Sequence, residues 1–203
     1  MKNLNSYITE KLKIVHKPYS CAPQSKEELK DIIEKRLADD PNVDLNNIDV
    51  SSITDMSELF YELKPHNIDI SRWDVSNVKD MSDMFAGCKN FNSDLSNWDV
   101  SNVENMSGMF NCCDIFNSDL SKWDVSKVEN MSNMFWFCES FKSDLSDWDV
   151  SNVKYMFNMF DGCYSFNSDL SKWNVSKVQN MHYMFDDCDS MKELPEWFTK
   201  NRK

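Results

Sequence analysis

Glycine and proline are scarce in this chain, three and five among 203 residues, too few for a low-complexity linker, so ordered structure is expected almost end to end. No apolar run reaches the length of a membrane span, which argues against membrane insertion. The first residues, MKNLNSYITEKLKIV, also lack the apolar core of a signal peptide, and on that ground an intracellular location is favoured over surface display. Basic charge is in deficit: a formal net charge of −12 repels phosphate backbones and anionic headgroups, which argues against nucleic acid as a partner. Histidine is nearly absent, and His16, His66 and His182 accompany no plausible nucleophile, so no catalytic residue and no enzyme activity are expected. Seven cysteines are an odd number, and with no export signal they do not suggest a full disulfide framework.

What the chain has instead is a repeat. Trp73, Trp98, Trp123, Trp148 and Trp173 follow one another at 25 residues, and nearly everything around them recurs with them. One unit reads F-N-S-D-L-S-x-W-D-V-S-x-V-x-x-M-S-x-M-F-x-x-C, seen cleanly from Phe91 to Cys113 and again from Phe116 to Cys138. A degraded earlier unit runs from Asp44 to Leu63, with Ile48 in the tryptophan column and Leu63 in the cysteine column. Met191, Leu194 and Trp197 attempt one more, a residue short of register.

Within a unit, L-S-x-W-D-V predicts a short strand bounded by turns. The spacing of Met81, Met84, Phe85 and Cys88 predicts one buried helical face, with Ser101-x-x-Glu104 and Ser126-x-x-Glu129 as capping boxes ahead of it. One strand and one short helix cannot bury their apolar columns alone, so neighbouring units are expected to stack. The expected fold is therefore an α/β solenoid, about six 25-residue strand-plus-short-helix coils. Residues 1–43 form a helical amino-terminal cap, 44–190 the repeat array, and 191–203 a closing fragment and tail. In the cap, Ser25-x-x-Glu28 opens a helix with Leu29, Ile32, Ile33 and Leu37 on one face, and Leu4, Tyr7, Ile8, Leu12 and Ile14 suggest a preceding helical segment. Whether Leu95 and Trp98, three apart, both point inward through a bend is open, since a straight strand would put them on opposite faces.

Repeats of this form, W-D-V-S and M-S-x-M-F at fixed spacing, resemble the bacterial surface protein 26-residue repeat of mycoplasma and Listeria lipoproteins, grouped with BspA-like leucine-rich-repeat proteins. The resemblance covers roughly Asp44 to Trp197. It implies a leucine-rich-repeat-like right-handed solenoid and a role in adhesion or protein-protein interaction, without catalysis.

Two columns invite chemistry. Cys88, Cys113, Cys138, Cys163 and Cys188 would place thiols in successive units, but Leu63 stands in the same column, which favours buried free thiols over metal or disulfide. The aspartates Asp69, Asp94, Asp119, Asp144 and Asp169, with Asp74, Asp99, Asp124 and Asp149, suggest either a calcium ladder or turn-capping carboxylates. The missing glycines favour the second, and no metal or cofactor is expected.

Array proteins recognise partners with residues that break the repeat. Around the methionines, the outward positions are mostly Ser, Asp, Asn and Glu, but in units four to six they include Trp136, Tyr155, Phe157, His182 and Tyr183. These five are the candidate surface for a protein partner. The chain is read as an adaptor or adhesion-type scaffold, a monomer or weak oligomer. The alternative is a structural or assembly component of a phage or mobile element, recruited through the amino-terminal helices.

Overall fold

The computed structural model describes residues 19–61, 63, 65 and 68–201. The amino-terminal segment containing Leu4, Tyr7, Ile8, Leu12 and Ile14 lies outside them, as do His16 and His66. Two helices occur among the described residues, α1 (Lys26–Asp39) and α2 (Glu196–Asn201). Ser25 starts α1 by accepting a hydrogen bond at its hydroxyl from the Glu28 N–H, while the Glu28 carboxylate reaches back to the Gln24 N–H at 2.8 Å. Leu29 and Ile33 are wholly buried on its inner face. Neither helix is long and apolar enough to cross a membrane.

The repeats do not form the expected α/β coils. Among the described residues there is no sheet, only isolated parallel bridges, and no helix falls within the repeated units. The leucine-rich-repeat solenoid of strand-plus-helix coils is therefore corrected: each unit is a succession of turns.

The third unit, Phe91 to Cys113, shows how. The N–H groups of Trp98, Val103, Met109, Cys113 and Phe116 donate to the carbonyls of Leu95, Val100, Met106, Phe110 and Cys113, each three residues back. Such bonds close β-turns, whereas an α-helix needs partners four back. Side chains prepare the corners. Asp94, Asp99 and Asn105 each accept from the N–H of the serine two residues on, at 2.9, 3.1 and 3.1 Å.

Left-handed residues rule out a helix over the methionine segment. Gly108 and Cys112 have φ of 61° and 54°, and the same two positions are left-handed in other units, including Asp83, Asn133, Asn158 and Tyr183 in one column and Gly87, Phe137 and Gly162 in the other. A residue at positive φ ends an α-helix, so one in every four permits none. The three-and-four spacing arises because both ends of each turn face the interior. Glu104 and Glu129 accordingly cap nothing; their N–H groups donate to Lys79 O and Glu104 O of the preceding units.

Leu95 and Trp98 are both buried, since the turn between them reverses the direction of the backbone. The same turns aim every second peptide plane of the methionine segment along the stack. Met106, Gly108, Phe110 and Cys112 donate to Asn130, Ser132, Met134 and Trp136 of the following unit, at 2.7–3.0 Å. Parallel bridges link Asp55, Asp80, Asn105, Asn130, Tyr155 and Asn180 in one continuous line. Carbonyls thus point toward the preceding unit and N–H groups toward the next.

Apolar columns fill the interior. Phe85, Phe110, Phe135, Phe160 and Phe185 stack at 5.6–5.7 Å, and Phe91, Phe116, Phe141 and Phe166 stack beside them at 5.8–6.0 Å. Trp73 lies 6.5 Å from Trp98, their planes nearly parallel, and Trp197 continues the column 6.4 Å from Trp173 despite its short register. The carboxy-terminal end is closed by α2, where Phe198 meets Phe185 edge-on at 4.9 Å.

Candidate functional site

A buried polar group needs a partner, and the columns supply one from the neighbouring unit. Each indole reaches back: Trp98, Trp123, Trp148 and Trp173 donate through Nε1 to the carbonyls of Ile70, Leu95, Leu120 and Leu145, at 3.0–3.1 Å. Each column thiol does likewise, Cys113, Cys138, Cys163 and Cys188 donating to Phe85, Phe110, Phe135 and Phe160. No disulfide joins the seven cysteines among the described residues, and burial holds the thiols of Cys113, Cys138 and Cys163 well above their usual range. These residues are occupied by the fold.

The aspartate columns are occupied as well. Asp69, Asp94, Asp119, Asp144 and Asp169 accept from the serine N–H two residues on, and Asp74, Asp99, Asp124 and Asp149 do the same. The Ser96 hydroxyl and then its backbone N–H hold Asp94 below the usual carboxylate range; at Asp144 the Ser146 backbone contributes first. Among the described residues, no three His, Cys, Asp or Glu side chains are grouped so as to hold a metal ion.

The repeat-breaking residues lie at the carboxy-terminal end. Tyr155 is 41% exposed and Tyr183 58%, against wholly buried Met156 and Met184 next to them. Phe157 meets Tyr183 edge-on with ring centroids 5.9 Å apart, and His182 lies 6.3 Å from the same tyrosine. Phe157 and His182 share one column of adjacent units, and their carbonyls accept from Asn133 and Asn158. Trp136 occupies the following turn. Its Nε1 donates to Asp161 at 3.0 Å and its ring packs against Phe137 at 5.4 Å. The candidates therefore fall into a Phe157–His182–Tyr183 cluster, with Tyr155 exposed nearby in sequence, and a separate Trp136–Phe137 pair.

Phe137 was not singled out from the sequence. It stands in a column otherwise held by glutamate, glycine, cysteine and aspartate, which is the signal that marks it. At φ 54° it is strained for a bulky side chain, and its ring lies over Gly162 of the next unit, where an added Cβ would come within 2.8 Å. Beside it opens a groove of about 660 Å³ lined by Trp136, Phe137, Asp161, Phe185, Asp187 and Phe198, among others. Burial pushes the Asp161 carboxyl up, the Trp136 indole pulls it back, and neighbouring Asp186 and Asp187 add to the net rise.

Turn-built units joined by a backbone ladder and closed over shared aromatic, methionine and cysteine columns define a tandem-repeat protein. The chain belongs to the family described as "Mycoplasma protein of unknown function, DUF285", which matches residues 28–135 and again 113–203. No curated protein and no solved structure matches it. The family found is one of unknown function, and the BspA-like leucine-rich-repeat grouping that the motifs resemble is not confirmed by it.

Proposed function

We propose that the chain is a non-enzymatic protein-protein interaction module, an adaptor or adhesion-type scaffold that binds through the side chains breaking its repeat. The observation that carries this reading is the exposure of Tyr155 and Tyr183, with Phe157 and His182 against the latter, at positions that hold short polar residues in most other units. Aromatic rings bordered by carboxylates favour a protein surface as the complement. Side chains committed to turns and ladders leave little else for recognition.

Serine stands at the Phe157 position in four earlier units, as Ser57, Ser82, Ser107 and Ser132. Phe157→Ser therefore restores the repeat, and combined with Trp136→Ser it removes the two candidate anchors. The double variant is expected to keep the wild-type melting profile and to lose partner capture from the native source. Capture undiminished in a folded variant would refute the reading.

A further inference from the structure

The stack has a direction, and at its carboxy-terminal end a backbone edge is left without partners among the described residues. In the units before the last, the N–H groups of the methionine segment find carbonyls 24 residues on: Met156, Asn158, Phe160 and Gly162 donate to Asn180, His182, Met184 and Asp186. In the last unit the equivalent N–H groups belong to Met181, Tyr183, Phe185 and Asp187. None of these four donates to any acceptor among the described residues, and the Gln179 carbonyl receives no counterpart of the Gln179→Lys154 bond. The closing segment covers a different part of the end. Trp197 lies over Trp173 and Phe198 against Phe185, so the apolar columns are sealed while no described residue pairs with the backbone edge beside them.

We infer that this edge, residues 181–187, takes a backbone segment of a partner protein bearing lysine or arginine, folded into the same turns and added to the stack as its next rung. The inference rests on the interaction reading above and names the partner's chemistry. Four donors at alternate residues, with one acceptor ahead of them, fit a parallel backbone that follows the same turns and offers a carbonyl at every second residue, as each earlier rung does. Asp186, Asp187 and Asp189 flank the edge, and none of them pairs with a lysine or arginine among the described residues. The unpaired negative charge favours a basic arrival.

Trp136, Phe137 and Phe198 line the adjoining groove with the carboxylates of Asp161 and Asp187, a setting in which a cationic side chain gains both ion pairing and cation–π attraction. A second copy of the chain is the weaker occupant. Its complementary carbonyl edge would be the first unit, where Lys26 of α1 binds Asp55 and Ser57 at 2.8 Å and Leu59 and Phe60 are wholly buried.

The test is selection of a random nonapeptide library displayed on phage against the full chain, followed by amide exchange of the 15N-labelled protein with the best synthetic peptide. Selected peptides are expected to be rich in lysine and arginine. Exchange at Met181, Tyr183, Phe185 and Asp187 should slow roughly tenfold or more on peptide binding, while interior ladder amides stay as they were. Asp186→Asn with Asp187→Asn should weaken the peptide roughly tenfold, and asparagine tolerates the left-handed backbone of position 187. The inference is overturned by a selection that enriches nothing or only uncharged peptides, or by protection confined to other amides. It is equally overturned if the four amides become protected without peptide as protein concentration rises, which would mean a second copy sits there. A native partner that needs Phe157 yet leaves the four amides unprotected would remove the edge and leave the interaction reading standing.

Discussion

At the scale of single residues, the cysteine column shows how a position acquires its chemistry from its neighbour. A thiol there donates to the phenylalanine carbonyl of the unit before it. In the first unit the same position holds Leu63, where α1 and not another repeat precedes. The sequence shows that the column is apolar and buried but not that the sulfur has a directional partner, because the partner lies 28 residues away. Thiol titration of the folded chain at neutral pH should find Cys21 and Cys112 reactive and the column protected, with all seven reactive in denaturant. Burial raises the folded-state values, Cys188 to about 12, above an ordinary value near 9. A raised group contributes its stability below the unfolded value and loses it as pH climbs toward the folded one. The urea midpoint should therefore fall between pH 9 and 12, each such thiol costing about 1.4 kcal/mol per pH unit in that window. A midpoint flat across it would mean the thiols are not buried in the folded chain.

At the scale of the element, the unit is a string of β-turns whose corners are set by Asp or Asn two residues before Ser. Its period and its inward-facing columns are legible in the sequence, as is α1, whose Ser25 and Glu28 cap it and whose Leu29 and Ile33 face inward. The local structure was not legible. Met106, Met109, Phe110 and Cys113 have helical spacing, yet consecutive turns that begin and end on the same side produce that spacing too. What distinguishes them is the left-handed residue inside each turn; glycine holds one of the six described positions in the first column, Gly108, and two of the five in the second, Gly87 and Gly162, so Glu, Asp, Asn, Tyr, Cys and Phe dilute the signal. Glycine substitutions test the turns directly. Gly87 and Gly162 both have positive φ, so alanine at either should cost about 1–2 kcal/mol. Gly162→Ala should cost more, because its Cβ would press on the Phe137 ring at 2.8 Å whereas nothing lies within 4 Å at Gly87. Equal losses in thermal melts of the two variants would remove Phe137 from its place over Gly162.

At the scale of the whole molecule, the units cohere because each leaves groups that the next one satisfies. Indoles and thiols reach back one unit, N–H groups of the methionine segment reach forward, and the aromatic columns run through all of them. The candidate surface was legible only as a set of departures from the repeat; that Phe157, His182 and Tyr183 meet while Trp136 turns to Phe137 and Asp161 depends on the turn geometry. The central claim is that each unit is built of turns and bonded to the next through its backbone. Scalar couplings transmitted across hydrogen bonds in a labelled sample measure this most directly. The account predicts couplings from the amide nitrogens of Met106, Gly108 and Phe110 to the carbonyl carbons of Asn130, Ser132 and Met134. Couplings from those nitrogens to carbonyls four residues earlier would show a helix in the methionine segment and contradict it.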